Sequence, residues 1–365
     1  MKLKELTDFL ETVAPLSYQE DYDNSGLIVG DPGREISRAL ISLDCTEAVV
    51  DEAIEKGCDV VISHHPIVFR GLKKFNGRSY VERVVMKAIR HDIALYAIHT
   101  NFDNVLNGVN RKICDRIGIR NCSILKQKDG ALKKLVTFCP KADADGVRDA
   151  LFAAGAGWIG NYSECSYNTE GYGTFRAGEN TNPHVGEIGS RHVEAEVRME
   201  IIYPSNIERK VVLALIDAHP YEEVAYDLYP VSNPYPSVGS GMIGYLDVEA
   251  DEIAFLRHVK ERLGASVIRH TALTGKKVRK VAVCGGAGSF LLPYALGAGA
   301  DVFITADYKY HEFFDAEGKL VIADVGHFES EQFTQELLLE IITEKFPIFA
   351  IHLTEKNTNP INYLI

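Results

Sequence analysis

Val60-Val61-Ile62-Ser63-His64-His65-Pro66 runs three β-branched residues and a serine into two histidines and a proline. The apolar run shows no alternation, as expected of a strand covered on both faces. Proline after the histidines ends the strand. Upstream, Thr46–Lys56 has helical spacing, and Gly57 is a stop signal for it. Downstream, Tyr80–His91 reads as a helix, and Ile93–Ile98 as a second strand leading into His99-Thr100-Asn101-Phe102-Asp103. Leu3–Val13 and Val109–Ile117 are further helices, and Leu27–Val29 and Ala39–Leu43 short strands. Strands alternating with helices predict an α/β layer structure with a largely parallel sheet over residues 1–127.

Residues 128–249 change character. Lys134–Cys139 is a strand, Asp143–Ala154 a helix and Ile159–Tyr167 a strand, and the Gly-, Asn- and Thr-rich Gly171–Gly189 reads as a long loop. Val193–Tyr203 alternates like a half-exposed strand, Ile207–Ala218 is helical, and Ala225–Tyr229 is a final strand. The order βαββαβ is that of a ferredoxin-like split βαβ unit. Ser232–Ser240 reads as the exit linker. The α/β alternation then returns over residues 250–365. Glu252–Leu263 is a helix, and the strand Val278–Cys284 feeds Gly285-Gly286-Ala287-Gly288-Ser289 before a helical start at Phe290–Leu296. Val302–Thr305 and Leu320–Ala323 are strands, and Glu329–Lys345 is one long helix. An α/β core formed by 1–127 and 250–365 is thus interrupted by an α+β insert.

Composition narrows the function classes. The chain has 365 residues, 46% hydrophobic and 25% charged, which suits a globular protein of two or three domains and not disorder or coiled coil. Its formal charge of −12 argues against binding nucleic acid by bulk charge, unless lysines and arginines line a local surface. No run of about 18 apolar residues predicts a membrane span, and the first residues lack a signal-peptide core. The seven cysteines are scattered without a CxxC pair, which points to a reducing cytoplasm and away from a zinc–thiolate site.

The twelve histidines carry more information. In an open α/β sheet, ligands gather beyond the carboxyl ends of the strands. Three strand ends carry metal-type side chains: His64-His65, His99-x-x-x-Asp103 and His327-x-x-x-Glu331. Adjacent histidines in an extended segment point opposite ways and can face two ions; an i, i+4 pair on a helix shares one face. Histidine with carboxylate and no cysteine suits a hydrolytic zinc, iron or manganese site better than a structural zinc. Each piece also has an ordinary explanation, as a capped or core histidine or a surface hydrogen bond. The three occur together at one end of the expected strands, which sets a metal site level with the ordinary explanation. The Gly285–Ser289 loop reads either as an anion cradle or as a tight strand-to-helix turn. Asp307 and His311 supply another acid and base near a strand end. Tyr221, Glu222 and Glu223, after His219-Pro220, form a cation-type group or a plain turn.

Four motifs together resemble the Nif-three-like family, also called the dinuclear-metal-centre family, which includes GTP cyclohydrolase I type 2 homologues. They are Asp23-Asn24-Ser25-Gly26-Leu27-Ile28-Val29-Gly30, Ile62–Pro66, Ile98–Asp103 and Gly326-His327-x-x-x-Glu331. The resemblance covers both flanks of the insert. It implies a two-lobed α/β core, two divalent metal ions per chain and a toroidal homohexamer built as a trimer of dimers. By position, His64, His65, Asp103, His327 and Glu331 match the family's ligands, with Glu331 bridging and Glu329 as a competing carboxylate. His99 matches a further family histidine, a ligand or a neighbour of one. His219–Asp227 gives the insert a likeness to PII-like or CutA-like modules, which implies an assembly or sensing role.

Two functions follow as expectations. The first is a metal-dependent hydrolase acting on a nucleotide, phosphoester or purine ring, with His99 or His311 moving protons. The second is a non-enzymatic regulator, metal-trafficking factor or assembly scaffold. Zinc is the expected metal, with iron or manganese next, since the order of affinities leaves the choice partly to supply. The other expected partner is a small-molecule substrate or regulator, with no membrane.

Overall fold

The computed structural model describes residues 1–364 of the chain. It divides into two compact units, one formed by residues 1–127 with everything from Pro236 onward, the other by Lys128–Tyr235.

The first unit contains two sheets. One has five strands in the order Gly26–Val29, Ala94–Ala97, Val60–Ser63, Arg38–Ser42, Ala350–Leu353. The last four run parallel, and Gly26–Val29 pairs antiparallel at the edge. The other has six strands in the order Arg269–His270, Val321–Asp324, Val302–Ala306, Lys277–Ala287, Gly239–Asp251, Arg120–Gln127, with a parallel centre and antiparallel flanks. All four residues of Val60–Ser63 are buried, as the unbroken apolar run requires. One face of each sheet turns inward onto a shared core. Ile41, Ile62 and Tyr96 from the first sheet meet Val281, Val302 and Ile304 from the second, with Leu6, Ile113, Phe255 and Leu338 of four helices among them. Glu47–Glu55 and Tyr80–Arg90 cover the outer face of the first sheet. Leu292–Gly297 and its flanking turns cover that of the second.

The second unit has the strand order Tyr167–Arg176, Arg191–Pro204, Leu132–Pro140, Tyr226–Val231, all antiparallel. Numbered along the chain this is 2-3-1-4, the split βαβ arrangement. Helices Ala144–Ala153 and Glu208–Ala218 pack on one face through Leu135, Val147, Met199 and Leu215. Among the described residues the other face carries no helix.

Several boundaries differ from the sequence reading. The core resumes at Pro236 and not at residue 250, because Gly239–Asp251 is a strand held between Arg120–Gln127 and Lys277–Ala287. Gly171–Arg176, expected in a loop, belongs to a strand whose glycines are carried by ten paired residues of Arg191–Pro204. Ile159 instead makes only an isolated bridge to Tyr162. The long helix expected over Glu329–Lys345 is broken into His327–Glu331 and Thr334–Lys345. Strands Arg120–Gln127 and Ala350–Leu353 lack a sequence signal, because both are largely half-exposed edge strands without an unbroken apolar run.

Candidate metal centre

The site is built where strands from both sheets end. Val60–Ser63 delivers His64 and His65, and Ala94–Ala97 delivers His99 and the short helix Thr100–Asp103. Val321–Asp324 delivers the helix His327–Glu331. Their side chains converge. Potential ligand atoms of His64, His65 and His99 lie within 4.8 Å of one another, as do those of His65, His327 and Glu331, and those of His64, Asp103 and Glu331. His64, His65 and Glu331 each belong to two of these groups. The cluster opens into a cavity of about 950 Å³.

Each histidine is fixed through Nδ1. His64 is fully buried, and its Nδ1 lies 2.8 Å from the Ile98 carbonyl oxygen. A carbonyl only accepts, so Nδ1 carries the proton and Nε2 keeps a lone pair. Three carboxylates brace the rest: Asp44 at 2.7 Å from His65, Asp23 at 2.8 Å from His99 and Asp307 at 2.7 Å from His327. Histidines that bind metal through one nitrogen are commonly held this way through the other. The backbone turns for this at Asp307, whose φ of 56° is in the left-handed region.

The centre of the cluster is short of hydrogen-bond partners. His64 Nε2 and Asp103 Oδ1 are buried with none, although they stand 3.7 Å apart. Such orphans are rare, and an ion is one cause of them. Glu331 Oε2 lies 2.9 Å from His65 Nε2 and 3.1 Å from His327 Nε2, and the two ring nitrogens face each other at 3.3 Å. The electrostatics agree. Burial, then the charge of Glu331, pushes Asp103 up to about 8. Against their burial, Glu331 is held well below the usual carboxylate range chiefly by His327, with His65 beside it, and His65 is lifted to about 9 by Asp44 and Glu331. Glu331, against burial, also lifts His327 to about 11. The pocket is organised to keep positive charge beside Glu331, which a divalent ion provides.

The glycine loop has a steric role. At Gly286, φ +60°, a Cβ would fall 2.4 Å from Glu331 Oε1. Its N–H donates to Ser330 Oγ at 3.0 Å, and that of Gly285 to Asn110 Oδ1 at 2.9 Å. With those two amides engaged, this part of the loop makes room for the carboxylate. His311 lies apart from the cluster. It is exposed on the turn Tyr310–Ala316, against the rings of Tyr310 and Phe314, because that segment coils away after Asp307. Glu329 is buried and accepts from Asn359 Nδ2, outside the ligand groups. Tyr221 donates to Glu196 Oε1 at 3.0 Å, and Glu222 accepts from the Asn182 N–H at 3.0 Å, so this group lines a separate cavity of about 620 Å³ within the insert. Sequence reasoning did not single out Asp44. Its only local mark is its place directly after the strand Arg38–Ser42 and Leu43, again at a carboxyl end.

The chain resembles known proteins over its whole length. A family model described as Duf34/NIF3 (NGG1p interacting factor 3) matches residues 1–360. A Halalkalibacterium halodurans protein named GTP cyclohydrolase 1 type 2 homolog is 39% identical over 360 residues, covering 97% of this chain and 96% of its own. A Bacillus subtilis protein of the same name is 36% identical, covering 99% and 98%. Among solved structures, a Bacillus cereus protein related to NIF3 superposes with a TM-score of 0.84 at 39% identity, covering 100% and 99%.

Proposed function

Because this chain belongs to the Duf34/NIF3 family, we propose that its histidine cluster holds two divalent metal ions and serves a metal-dependent hydrolase. The observation that carries this reading is the pair of partnerless buried atoms, His64 Nε2 and Asp103 Oδ1, beside a carboxylate shared by two ligand groups. His64 and Asp103 would hold one ion and His65 and His327 the other, with Glu331 available to both groups. Bound ions of this kind supply Lewis-acid stabilisation and make hydroxide available near neutral pH. His99, braced by Asp23, keeps Nε2 as the nitrogen available to the ion or to a proton. Zinc is the first expectation, with iron or manganese next.

The substrate class is a nucleotide, phosphoester or purine ring, the last in line with the cyclohydrolase name of the relatives. The cavity falls in the usual range for small-molecule sites, about 300–1,000 Å³, and Tyr22, Phe69 and Phe290 among its walls suit a flat ring. The homohexameric ring and the cytoplasmic setting belong to the same reading. So does a PII-like or CutA-like role for the insert. No helix among the described residues is long and apolar enough to cross a membrane.

The test is turnover of nucleotides and phosphoesters by metal-loaded protein beside the His64→Ala/His65→Ala variant. The reading expects turnover that the variant loses. Metal uptake without turnover would favour the regulatory or trafficking role. Equal turnover in both proteins would rule out a metal-dependent reaction at this site.

A further inference from the structure

We propose that the C-terminal tail beyond Ala350–Leu353 is a working part of the metal centre, with Thr358 as a positioning residue for His65. The proposal rests on the metal-binding reading above. The tail leaves the sheet edge tied down at its start. The Thr354 N–H donates to the Ile41 carbonyl at 2.9 Å, and the Glu355 N–H donates to Glu52 Oε1 at 2.9 Å. It then turns on two asparagines. Asn357 Oδ1 accepts from the Asn359 N–H at 3.0 Å, and Asn359 Oδ1 from the Ile361 N–H at 2.9 Å. Asparagine side chains make such turns by mimicking the backbone.

Between these turns the tail touches both halves of the site. Thr358 Oγ1 donates to Asp44 Oδ2 at 2.6 Å, while Asp44 Oδ1 sits 2.7 Å from His65 Nδ1. Both oxygens of that carboxylate are thereby fixed. A carboxylate held at one oxygen can rotate about its Cβ–Cγ bond and release the imidazole. Held at both, it locks the ring plane and the tautomer that leaves Nε2 pointing at Glu331. One residue on, Asn359 Nδ2 donates to Glu329 Oε1 at 3.2 Å. Glu329 is buried on the helix that bears His327 and Glu331. The tail therefore links the brace of one ligand to the helix carrying two others. Thr358, Asn359, Pro360, Ile361 and Tyr363 also line the cavity, so the same segment forms one of its walls.

The experiment measures zinc affinity of the full chain by competition with a chromogenic chelator, beside the melting temperature of the metal-free protein. Loss of the direct outer partner of a metal-bound histidine, here Asp44, costs about 10–100-fold in affinity, which sets the upper bound for Thr358 acting through it. Thr358→Val, which keeps shape and removes the hydroxyl, is expected to lose about tenfold, the low end of that range, and Thr358→Ala likewise. Thr358→Ser, which restores the donor, should stay within about twofold of wild type. Losing this hydrogen bond lowers the metal-free melting temperature of the Val and Ala variants, but a purely structural role would move that temperature alone and leave the affinity unchanged. Unchanged zinc affinity in Thr358→Val and Thr358→Ala overturns the proposal, as does a Ser variant that behaves like Val. Wild-type protein that takes up no divalent metal overturns the metal reading itself and this proposal with it.

Discussion

The metal-bearing core and the insert are both built from sheets and helices, but they hide their side chains differently. Each large sheet of the core is covered on both faces, and Val60–Ser63, Ala94–Ala97 and Val321–Asp324 are buried throughout. The insert sheet carries helices on one face only, and in Arg191–Pro204 buried residues alternate with exposed or half-buried ones from Val197 onward. In a doubly covered strand, a polar side chain has an outlet only at the end. Polar residues at such ends are concentrated in space, and each one buried there needs a partner. That is why four histidines, their three carboxylate braces and two further acids crowd one mouth of the core. On the insert face without helices, Glu194, Glu196 and Arg198 recur at every second position along the strand, so polarity there is spread out and not gathered at one end.

This contrast can be broken experimentally. The largest effect should come from Glu331→Gln. The amide keeps the shape and removes the charge shared by two ligand groups, so metal content measured by elemental analysis should fall to one ion or none per chain. Full occupancy in that variant would show that Glu331 is not a shared ligand of the two groups. Next in size, Met199→Ala should destabilise the insert by about 2–5 kcal/mol, the usual cost of emptying a buried Met site. Its metal content should match wild type, and a drop would show that the two units are not separate in function. Asp307→Asn should weaken metal binding about 10–100-fold by loosening His327. An unchanged affinity there would mean that the brace is decorative.

The smallest effect concerns the root of the C-terminal tail. Glu52 is buried; burial opposes its charge, but hydrogen bonds from Lys56, Thr354 and the Glu355 N–H hold it below its usual range. A carboxylate with a lowered folded-state value adds stability above its unfolded value of about 4.3 and loses it as pH falls through the folded one. Glu52→Gln should therefore cost about 1 kcal/mol near neutrality, in the range of one net hydrogen bond. That cost should shrink in acid. Denaturation melts at pH 7 and pH 3 would show a constant difference if the argument is wrong.

Much of this was readable in advance, for reasons that particular residues make plain. The strand ending in His64 and His65 announces itself by three β-branched residues and a proline, and the helix Val109–Ile117 by its spacing. His327 and Glu331 are legible as an i, i+4 pair. His311 misleads, because a histidine four residues after Asp307 looks the same in sequence whether the chain stays at the mouth or coils away. The roles of Asp44 and Thr358 could not be read, since their pairing spans 314 residues and has no period.

The sequence by itself determined which residues end buried strands and which types stand there, because local periodicity and turn chemistry act over a few neighbours. Only the tertiary structure decided that these ends meet. His65 and Glu331 are 266 residues apart, and their 2.9 Å contact exists because burying the inner faces of both sheets in one core brings their carboxyl ends to the same mouth. That burial is non-directional and sums over many apolar side chains, so no short stretch of sequence encodes it.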